Sequence, residues 1–521
     1  MKPYIKIATI FLAVAGLSAC DSEFEKLNKN PVTATPEQFR AEYLFSTAQL
    51  RTFTGDETSS LYYGSTISQH FASLSDRGIF DFFGDKYIYH ESANDNLWNN
   101  IFDGSTGPSK LMEDISYMTS GKAEYHNLIQ MNRIWKTIVF SRLTDLYGDI
   151  PYSEAGKGYY EQIFKPKYDT QKDIYYHMLS ELEDATAKLD PQQNNFASAD
   201  IAYKGDIQKW KKLGYSMMLR LGMRMSKVEP ATAEAWVKKA FAGGTLASNA
   251  DNLMIRGADA TGANINLVNG QSQMFRVNYV PGKISASLFN FLKNAGDPRL
   301  KYIPALYPDW RNNNSKVTDP ALQKGLPNGL DRISMEDHPS FDPSKNEHQY
   351  SGINRDLFAK FDAPRLFLTF AESQLLLSEA VVRGWISADA KSLYESAVSG
   401  AMKLYTEFDA SATISDGEIS SYLAANPFVG TGDAEKAIEQ INTQYWVATF
   451  LNGHETFANL RRSGYPKLTP VQFADSDSFG KFPSRLRYPQ SEMVYNKENY
   501  EAAVARQGAD DFSTPIWWYK P

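Results

Sequence analysis

Apolar side chains recur at three- and four-residue spacing through much of the chain, and this periodicity limits the fold more than any other feature. One clear stripe runs from Ile134 to Leu146. This spacing places side chains on one face of an α-helix, whereas a half-buried strand needs strict alternation. The pattern predicts helices over 131–147, 170–189, 206–228, 231–242, 364–383, 388–406 and 434–452. The sequence therefore predicts a mainly α fold of packed helices.

Stretches without this periodicity interrupt the helices. Residues 244–363 are rich in Gly, Asn, Asp and Pro, with one helix-like piece from Ile284 to Lys293. Residues 76–110 and 470–521 also have few periodic apolar positions and are expected to be loop-like. Long irregular segments inside a compact protein commonly carry function. We therefore expect functional residues in these loops.

The N-terminus has the pattern of a bacterial lipoprotein signal. Lys2 and Lys6 precede an apolar run over 7–17. That run is too short to cross a bilayer, because a spanning helix needs about 20 residues. The tetrapeptide LSAC at 17–20 follows, with small residues directly before the cysteine. We therefore expect cleavage before Cys20 and attachment of a diacylglyceryl group to its thiol.

Cys20 is the only cysteine in the chain. Once it carries lipid, disulfides and thiolate metal ligands are excluded, so the core alone must stabilise the fold. Asp21, Glu23 and Glu25 follow it. This acidic cluster resembles the surface-export signal of Bacteroidetes lipoproteins, although in enteric bacteria an aspartate directly after the cysteine favours retention at the inner membrane.

Charge and motif content exclude several classes of protein. Asp and Glu (61) outnumber Lys and Arg (54), and no basic run occurs, which argues against nucleic acid as a partner. The glycine motifs for phosphates and dinucleotides and the G-x-S-x-G nucleophile motif are missing, and the seven histidines form no zinc motif. We therefore expect a binding protein that is not an enzyme, with neither a cofactor nor a metal site.

Two alternatives remain open. Glu372 and Glu379 lie seven residues apart on a predicted helix, and glycoside hydrolysis needs two carboxylates, but buried ion pairs are the more ordinary role for such residues. Arg383, four residues after Glu379, is one candidate partner. Asp251, Asn252 and Asp259 offer oxygen ligands for calcium, but no loop there matches the EF-hand pattern, and a solvated loop is the more ordinary role.

Aromatic residues make up 13% of the chain, and many fall in the irregular segments. Sugar rings stack their apolar faces on aromatic planes, and a peptide or another small nutrient uses the same kind of surface. The candidate ligand-binding residues are the rings in or beside loop-like segments: Tyr62, Tyr63, Phe80, Phe83, Tyr87, Trp98, Phe275, Tyr279 and Trp310. For each ring, packing in the core is the competing role.

Several sequence blocks together carry a family resemblance. They are FEKLNKNP (24–31), IWKTIVFSRLTDLYGDIPYSEA (134–155), YDTQKDIYYHMLSELEDATAKL (168–189), GDIQKWKKLGYSMMLRLGMRMSKV (205–228), DPRL (297–300), FAESQLLLSEAVVRGW (370–385), HETFANLRRSGYPKL (454–468), PSRLRYPQSEMVYNKENY (483–500) and TPIWWYKP (514–521). In this order they resemble the SusD/RagB-like family of Bacteroidetes outer-membrane lipoproteins, in its SusD-like, starch-binding branch.

The resemblance implies tetratricopeptide-like helix pairs as a scaffold and a loop-rich ligand face. It implies a signal peptide (1–19), a lipidated tether (20–40) and a single domain (41–521). It further implies capture of an oligosaccharide, or of a peptide or another small nutrient, at the outer membrane, facing the cell exterior. The implied partner is a SusC-like TonB-dependent transporter barrel. Glu372, Arg461 and Arg462 fall in blocks that resemble scaffold and are therefore not site candidates.

We expect Cys20→Ala to abolish lipid attachment, because the thiol is the group that forms the thioether. Metabolic labelling with alkyne-tagged palmitate, followed by membrane fractionation, measures this. The variant should be unlabelled and released from the membrane, whereas the control Ser22→Ala should behave as the wild type. Labelling that persists in Cys20→Ala would contradict the assignment of the anchor.

Overall fold

The computed structural model describes residues 40–53, 56–75, 82–257, 269–276, 282–309, 311–345, 347–478 and 480–521. Its helices are α1 (Ala41–Phe53), α2 (Glu91–Ile101), α3 (Pro108–Thr119), α4 (His126–Tyr147), α5 (Gly158–Glu161), α6 (Gln171–Lys188), α7 (Ile207–Arg224), α8 (Pro230–Gly243), α9 (Gly270–Arg276), α10 (Ala286–Asn294), α11 (Arg332–Glu336), α12 (Arg355–Phe358), α13 (Phe370–Val382), α14 (Ala390–Lys403), α15 (Asp416–Ala425), α16 (Ala434–Ala448), α17 (Gly453–Ser463), α18 (Gln490–Tyr495) and α19 (Lys497–Gln507). Its strands are β1 (Phe71–Ser73), β2 (Ile150–Pro151), β3 (Tyr168–Asp169), β4 (Leu253–Arg256), β5 (Gly282–Ile284), β6 (Pro304–Ala305), β7 (Gly352–Ile353) and β8 (Pro364–Leu368). A π-helix spans Thr58–Ser65, and short 3-10 helices lie at Phe83–Asp85, Ala123–Tyr125, Asn249–Asp251, Pro298–Lys301, Asn313–Ser315, Glu347–Gln349 and Leu404–Glu407.

The predicted mainly α fold is confirmed. Helices consecutive in sequence pack on one another, with α4 on α6, α6 on α7, α7 on α8, and α13 on α14. The stripes that predict them face a shared core, in which Trp135 of α4 and Trp210 of α7 meet edge to face with ring centroids 6.2 Å apart. Each indole N–H has a partner, Thr52 Oγ1 at 2.8 Å and Asp200 Oδ2 at 2.7 Å respectively, so burial leaves no indole donor unpaired.

The helix predicted over 364–383 is wrong in its first part. Pro364–Leu368 forms β8, which pairs antiparallel with β4. Thr369 then starts α13 with a capping box: its hydroxyl accepts from the Glu372 N–H at 3.3 Å, and the Glu372 carboxylate accepts from the Thr369 N–H at 3.1 Å. Two free backbone donors are satisfied at once, which fixes where the helix begins.

The segments expected to be loop-like contain more helix than predicted. Residues 76–110 include α2 and the start of α3, and residues 470–521 include α18 and α19. In α19 only Ala503 is buried, so this helix has no apolar stripe for periodicity to detect. Within 244–363 the predicted helix is confirmed as α10, and short strands and helices flank it.

Each sheet among the described residues has two short strands, and their pairing connects segments that are distant in the sequence. In one of them β1 and β5 pair antiparallel, with Phe71 opposite Ile284 and Ser73 opposite Gly282. β6 pairs with β7, and the Ile284 N–H donates to the Ser351 carbonyl at 2.9 Å, which joins β5 to the start of β7. Among the described residues, no helix has the length and apolarity needed to cross a bilayer.

Two glycines allow the π-helix to cross the start of α17. A Cβ on Gly453 would lie 2.0 Å from the Ser60 carbonyl oxygen, and a Cβ on Gly64 would lie 2.4 Å from the Gly453 carbonyl oxygen. His454 Nε2 lies 2.9 Å from Ser59 Oγ across this contact. Since the clashing atoms belong to backbone, no side-chain rotation relieves them.

We expect Gly453→Ala to destabilise the protein by about 1–3 kcal/mol, because the added methyl group forces two backbones apart. The free energy of unfolding in urea measures this. The control is Gly417→Ala in α15, where a Cβ meets nothing within 4 Å. That substitution should stabilise the protein by about 0.5–1 kcal/mol, since alanine favours helix over glycine. Equal effects at the two positions would contradict the close approach.

Candidate functional site

Five of the predicted ligand-binding rings are buried. Tyr62, Tyr63, Tyr87, Trp98 and Phe275 each expose at most 3% of their surface. A buried ring has no face on which a sugar or peptide can stack. For Tyr62, Tyr63, Tyr87 and Phe275 the prediction of a free ligand-binding face is therefore wrong, and the competing role in the core applies. Trp98 is also buried, but it borders a cleft described below.

The reason is that the rings pack against one another. Phe82 lies 4.9 Å from Tyr62 and 5.7 Å from Phe71 between ring centroids, and Phe71 stacks on Phe275 at 6.0 Å. We call these four residues the ring layer. Gly282 of β5 lies directly over it, because a Cβ at that position would be 2.5 Å from the end of the Phe82 ring. The ring layer therefore supports the β1–β5 sheet from below.

The remaining four predicted rings lie in or beside segments outside the described residues. The structure describes only the backbone of Phe83, which begins a 3-10 turn. Phe80, Tyr279 and Trp310 lie outside the described residues. Their attachment points are nevertheless described.

Chain topology brings two of these segments to one place. β1 leads into residues 76–81, and residues 277–281 lead into β5. Because Ser73 is paired with Gly282, the end of β1 lies beside the start of β5. Both segments are therefore attached at the same end of the sheet, which we call the β1–β5 end.

A buried carboxylate holds the β1–β5 end together. Asp85 accepts hydrogen bonds from the backbone N–H groups of Ser73 at 3.1 Å and Gly329 at 3.2 Å, and from the side chain of Asn328. Burial raises the pKa of Asp85, and the ammonium of Lys86, 3.5 Å from Oδ2, partly offsets the effect. Asp85 thus fixes the strand end, the Phe83 turn and the 328–329 loop relative to one another.

A second concave surface is formed by exposed rings. This cleft, which we call the aromatic cleft, has a volume of about 460 Å³ and lies between α2, α3 and the loop from β2 to β3. Trp98 and Phe102 line its inner wall, with ring centroids 5.0 Å apart. Tyr159 and Phe164 line its outer part, where they are 73% and 74% exposed.

The loop that carries these exposed rings is anchored on both sides. Gly156, at φ +78°, passes so close to α3 that a Cβ would lie 2.5 Å from the Ser109 carbonyl oxygen. On the other side, the amide of Asn496 donates to the Pro166 carbonyl at 2.9 Å, and Asn499 donates to the Lys165 carbonyl at 3.0 Å. The loop therefore holds Tyr159 and Phe164 in place without burying them.

Three carboxylates line the aromatic cleft: Asp103, Glu154 and Glu492. Asp103 accepts from the Ser105 N–H and hydroxyl at 2.7 Å each and from the Thr106 N–H at 3.3 Å, all at Oδ1. Glu154 accepts from the Lys167 N–H at 2.8 Å, and Glu492 accepts from the Tyr168 hydroxyl at 2.7 Å and the Asn496 amide at 3.2 Å. Hydrogen bonds from Ser105 lower the pKa of Asp103. An ionised carboxylate accepts up to about four hydrogen bonds, so each retains capacity for a ligand.

The sequence analysis did not single out Tyr159 or Phe164. The available signal is local: the Tyr159-Tyr160 pair follows Gly156 and Gly158, and Phe164 precedes Pro166 by two residues. Turn-forming residues around rings that lack helical periodicity mark an exposed loop. Of the predicted rings that the structure describes, Trp98 is the one that lies in the wall of the aromatic cleft.

A family profile described as starch-binding and associating with the outer membrane matches residues 31–489. The chain belongs to the SusD-like family. A comparison with curated proteins found no match.

Solved structures show the same fold as this SusD-like chain. One described as a chitin-binding protein is 32% identical, with a TM-score of 0.80, over 92% of this chain and 100% of its own. A Bacteroidetes AC2a SusD-like protein is 25% identical, with a TM-score of 0.82, over 93% and 100%. A chitin-binding SusD homolog from Flavobacterium johnsoniae is 22% identical, with a TM-score of 0.73, over 92% and 98%, and at that identity the likeness shows the fold alone.

The carboxylates considered for hydrolysis are buried in the scaffold of this SusD-like chain. Glu372 contacts Arg220 at 2.6 Å, and Glu379 contacts Arg462 and Arg383 at 2.7 Å each, so the predicted Glu379–Arg383 pair is confirmed. Burial raises the pKa of Glu372. Burial alone would also raise the pKa of Glu379. The positive charges of Arg462 and Arg383 have the larger effect, and they hold the pKa of Glu379 well below its ordinary value.

The residues weighed for calcium are engaged elsewhere. Asp251 contacts Lys212 at 2.9 Å and accepts from the backbone N–H groups of Ala247 and Ser248, while Asp259 lies outside the described residues. Within the described part of the chain, no group of three or more His, Cys, Asp or Glu residues is placed to hold a metal ion.

We expect Glu379→Gln to lower the free energy of unfolding at pH 7 by about 3–5 kcal/mol, because it leaves Arg462 buried without its counter-charge. The folded pKa of Glu379 is depressed, so its stabilising effect is present above the unfolded pKa of about 4.3 and is lost as pH falls. The difference between wild type and variant should therefore shrink in acid. Urea unfolding at pH 7 and below pH 4 measures it.

The control for this experiment is Glu395→Gln. Glu395 lies 3.8 Å from Lys391 in a partly exposed pair, so its substitution should change the free energy of unfolding by less than about 0.5 kcal/mol. A Glu379→Gln effect as small as this control would contradict the role of the buried pair.

Proposed function

We propose that this SusD-like chain is a lipid-anchored, cell-surface protein that binds oligosaccharides and delivers them to a SusC-like TonB-dependent transporter. Membership of a family described as starch-binding and associating with the outer membrane supports this function. The 32% identical relative described as chitin-binding supports the same class of ligand. The lipobox at Cys20 supports the anchor.

The observation that carries the placement of the ligand is the topology of the β1–β5 end. We place the oligosaccharide against Phe80, Phe83 and Tyr279, whose segments attach there. Trp310 follows β6, which pairs with β7, and β7 in turn lies beside β5. The segment that carries Trp310 is therefore attached near the β1–β5 end, and we place Trp310 against the same ligand.

The ring layer explains how this end serves as a platform. Stacking of a sugar on an aromatic ring is more favourable when the ring is already held in place before binding, because ordering a side chain on binding costs free energy. The packed rings of Tyr62 and Phe275, with the Asp85 carboxylate beside them, give the attachment points a fixed base. The base is buried, so its role is support, and we assign the ligand contacts to the segments attached to it.

A peptide or another small nutrient is the alternative ligand, because aromatic rings also bind apolar side chains. A surface hydrolase receives no support from Glu372 and Glu379, which are buried and paired with arginines. The test must therefore separate glycans from peptides.

We expect the purified full-length chain to bind maltohexaose or chitohexaose in isothermal titration, and Trp310→Ala to weaken that binding by about tenfold or more, as for a central aromatic contact. The control is Tyr43→Ala on α1, which removes a ring that is 56% exposed and belongs to neither site. Binding of a peptide such as tetra-alanine with no response to either glycan would move the proposal to the alternative ligand.

A further inference from the structure

Exposed aromatic side chains gather at the aromatic cleft. Tyr159 and Phe164 belong to its lining and are 73% and 74% exposed. Tyr117, which is 64% exposed, joins them through its stack on Tyr160. Met493 is also exposed and directly follows the lining residue Glu492 in the sequence. Exposed rings that meet at one concave surface mark a binding site, whereas scattered single residues do not.

We propose that the aromatic cleft is a second binding site for uncharged oligosaccharides, separate from the β1–β5 end. The inference rests on the proposed function, because it assigns the same class of ligand to another surface. Among the described residues, the lining of the cleft contains no residue of β1, β5 or the 328–329 loop.

The shape of the cleft fits a short saccharide. Its volume of about 460 Å³ falls within the range of small-molecule sites, about 300–1,000 Å³. The ring of Phe164 lies beside Gly158, where a Cβ would be 3.5 Å from two of its ring atoms, and the residue is still 74% exposed, so most of its surface is accessible to a ligand. Tyr159 presents a second ring on the same short loop, and Trp98 closes the inner wall.

The platform continues beyond the cleft itself. Tyr160 stacks on Tyr117 with centroids 3.9 Å apart and an interplanar angle of 19°, and it meets Tyr159 at 90° with centroids 5.0 Å apart. Rings in this arrangement hold one another upright on the surface. A chain of sugar units longer than the cleft therefore meets further rings where it leaves.

The charges of the cleft favour a neutral, hydroxyl-rich ligand. Asp103, Glu154 and Glu492 accept hydrogen bonds, which sugar hydroxyls donate. Lys110, the one basic residue in the lining, is already paired with Asp114. An anionic ligand would meet three carboxylates and is disfavoured. A protein partner would also cover an apolar rim, but it does not require a concave wall lined with carboxylates that still accept hydrogen bonds.

Because the loop is anchored, binding a ligand in the cleft should cost little conformational entropy. The contacts of Gly156, Pro166 and Lys165 fix both sides of the loop before any ligand arrives. Binding to a preorganised surface loses less conformational entropy than binding to a loop that must order. Exposed rings on such a loop are therefore effective stacking partners.

Isothermal titration of the full-length chain with maltotriose and chitotriose tests the proposal, because a trisaccharide is too short for one molecule to bridge two surfaces. The bound trisaccharide should show two equivalents in the wild type. The double variant Tyr159→Ala, Phe164→Ala should bind one equivalent, and so should Trp310→Ala. Both rings of the double variant are more than 70% exposed, so its circular dichroism spectrum and Tm should match those of the wild type.

The outcomes separate the two proposals. One equivalent in the wild type, lost in Trp310→Ala and retained in the double variant, would overturn the second site and leave the proposed function intact. One equivalent lost only in the double variant would keep the cleft and reject the ligand placement at the β1–β5 end. Unchanged stoichiometry in the double variant, with loss of co-purification with the transporter barrel, would assign the cleft to a protein partner.

Discussion

The fold depends on a network of buried charges where five helices meet. Arg220 and Arg224, one turn apart on α7, contact Glu455 of α17 at 3.3 and 2.7 Å, and Arg224 also lies 3.4 Å from Asp145 of α4. The Tyr445 hydroxyl of α16 lies 2.8 Å from Glu455 and 3.2 Å from Glu372, which belongs to α13. Burying an ion costs several kcal/mol, so such a network persists only when its partners are in place. The helices are thereby held in one register.

This constraint explains why function lies outside the helical array. Side chains that satisfy buried charges or fill the core between helices are not available to a ligand, and Glu372 and Arg462 are both committed in this way. Loops leave the array at fixed points, and their exposed side chains are free of packing requirements. At the β1–β5 end Asp85 holds the attachment points, and in the aromatic cleft Asn496 and Asn499 do so.

Sequence patterns predict the helices that have one apolar face, such as α4, α6 and α7, because burial of that face selects the residues. They miss α19, because only one of its residues is buried and it therefore has no apolar face. They also predict one helix where the structure has the strand β8 followed by α13. The Thr369-x-x-Glu372 capping box in the sequence marks that boundary, but the pairing of β8 with β4, more than a hundred residues away, has no local signal. Of the nine predicted ligand rings, five are in the core, because composition records that a ring is present but not what covers it.

The core rings and the surface rings of this chain are held in place by different kinds of contact. Tyr62 and Phe275 are held by other rings, so they sit where the chain is dense in long-range contacts that no local pattern reports. Tyr159 and Phe164 are held by their backbone, through close glycine contacts on one side and carbonyls bonded to asparagine on the other. Backbone support depends on Gly, Pro and Asn at particular positions. An aromatic residue flanked by such positions, outside any apolar period, is therefore a better candidate for ligand stacking than an aromatic residue that is merely in a loop-like segment.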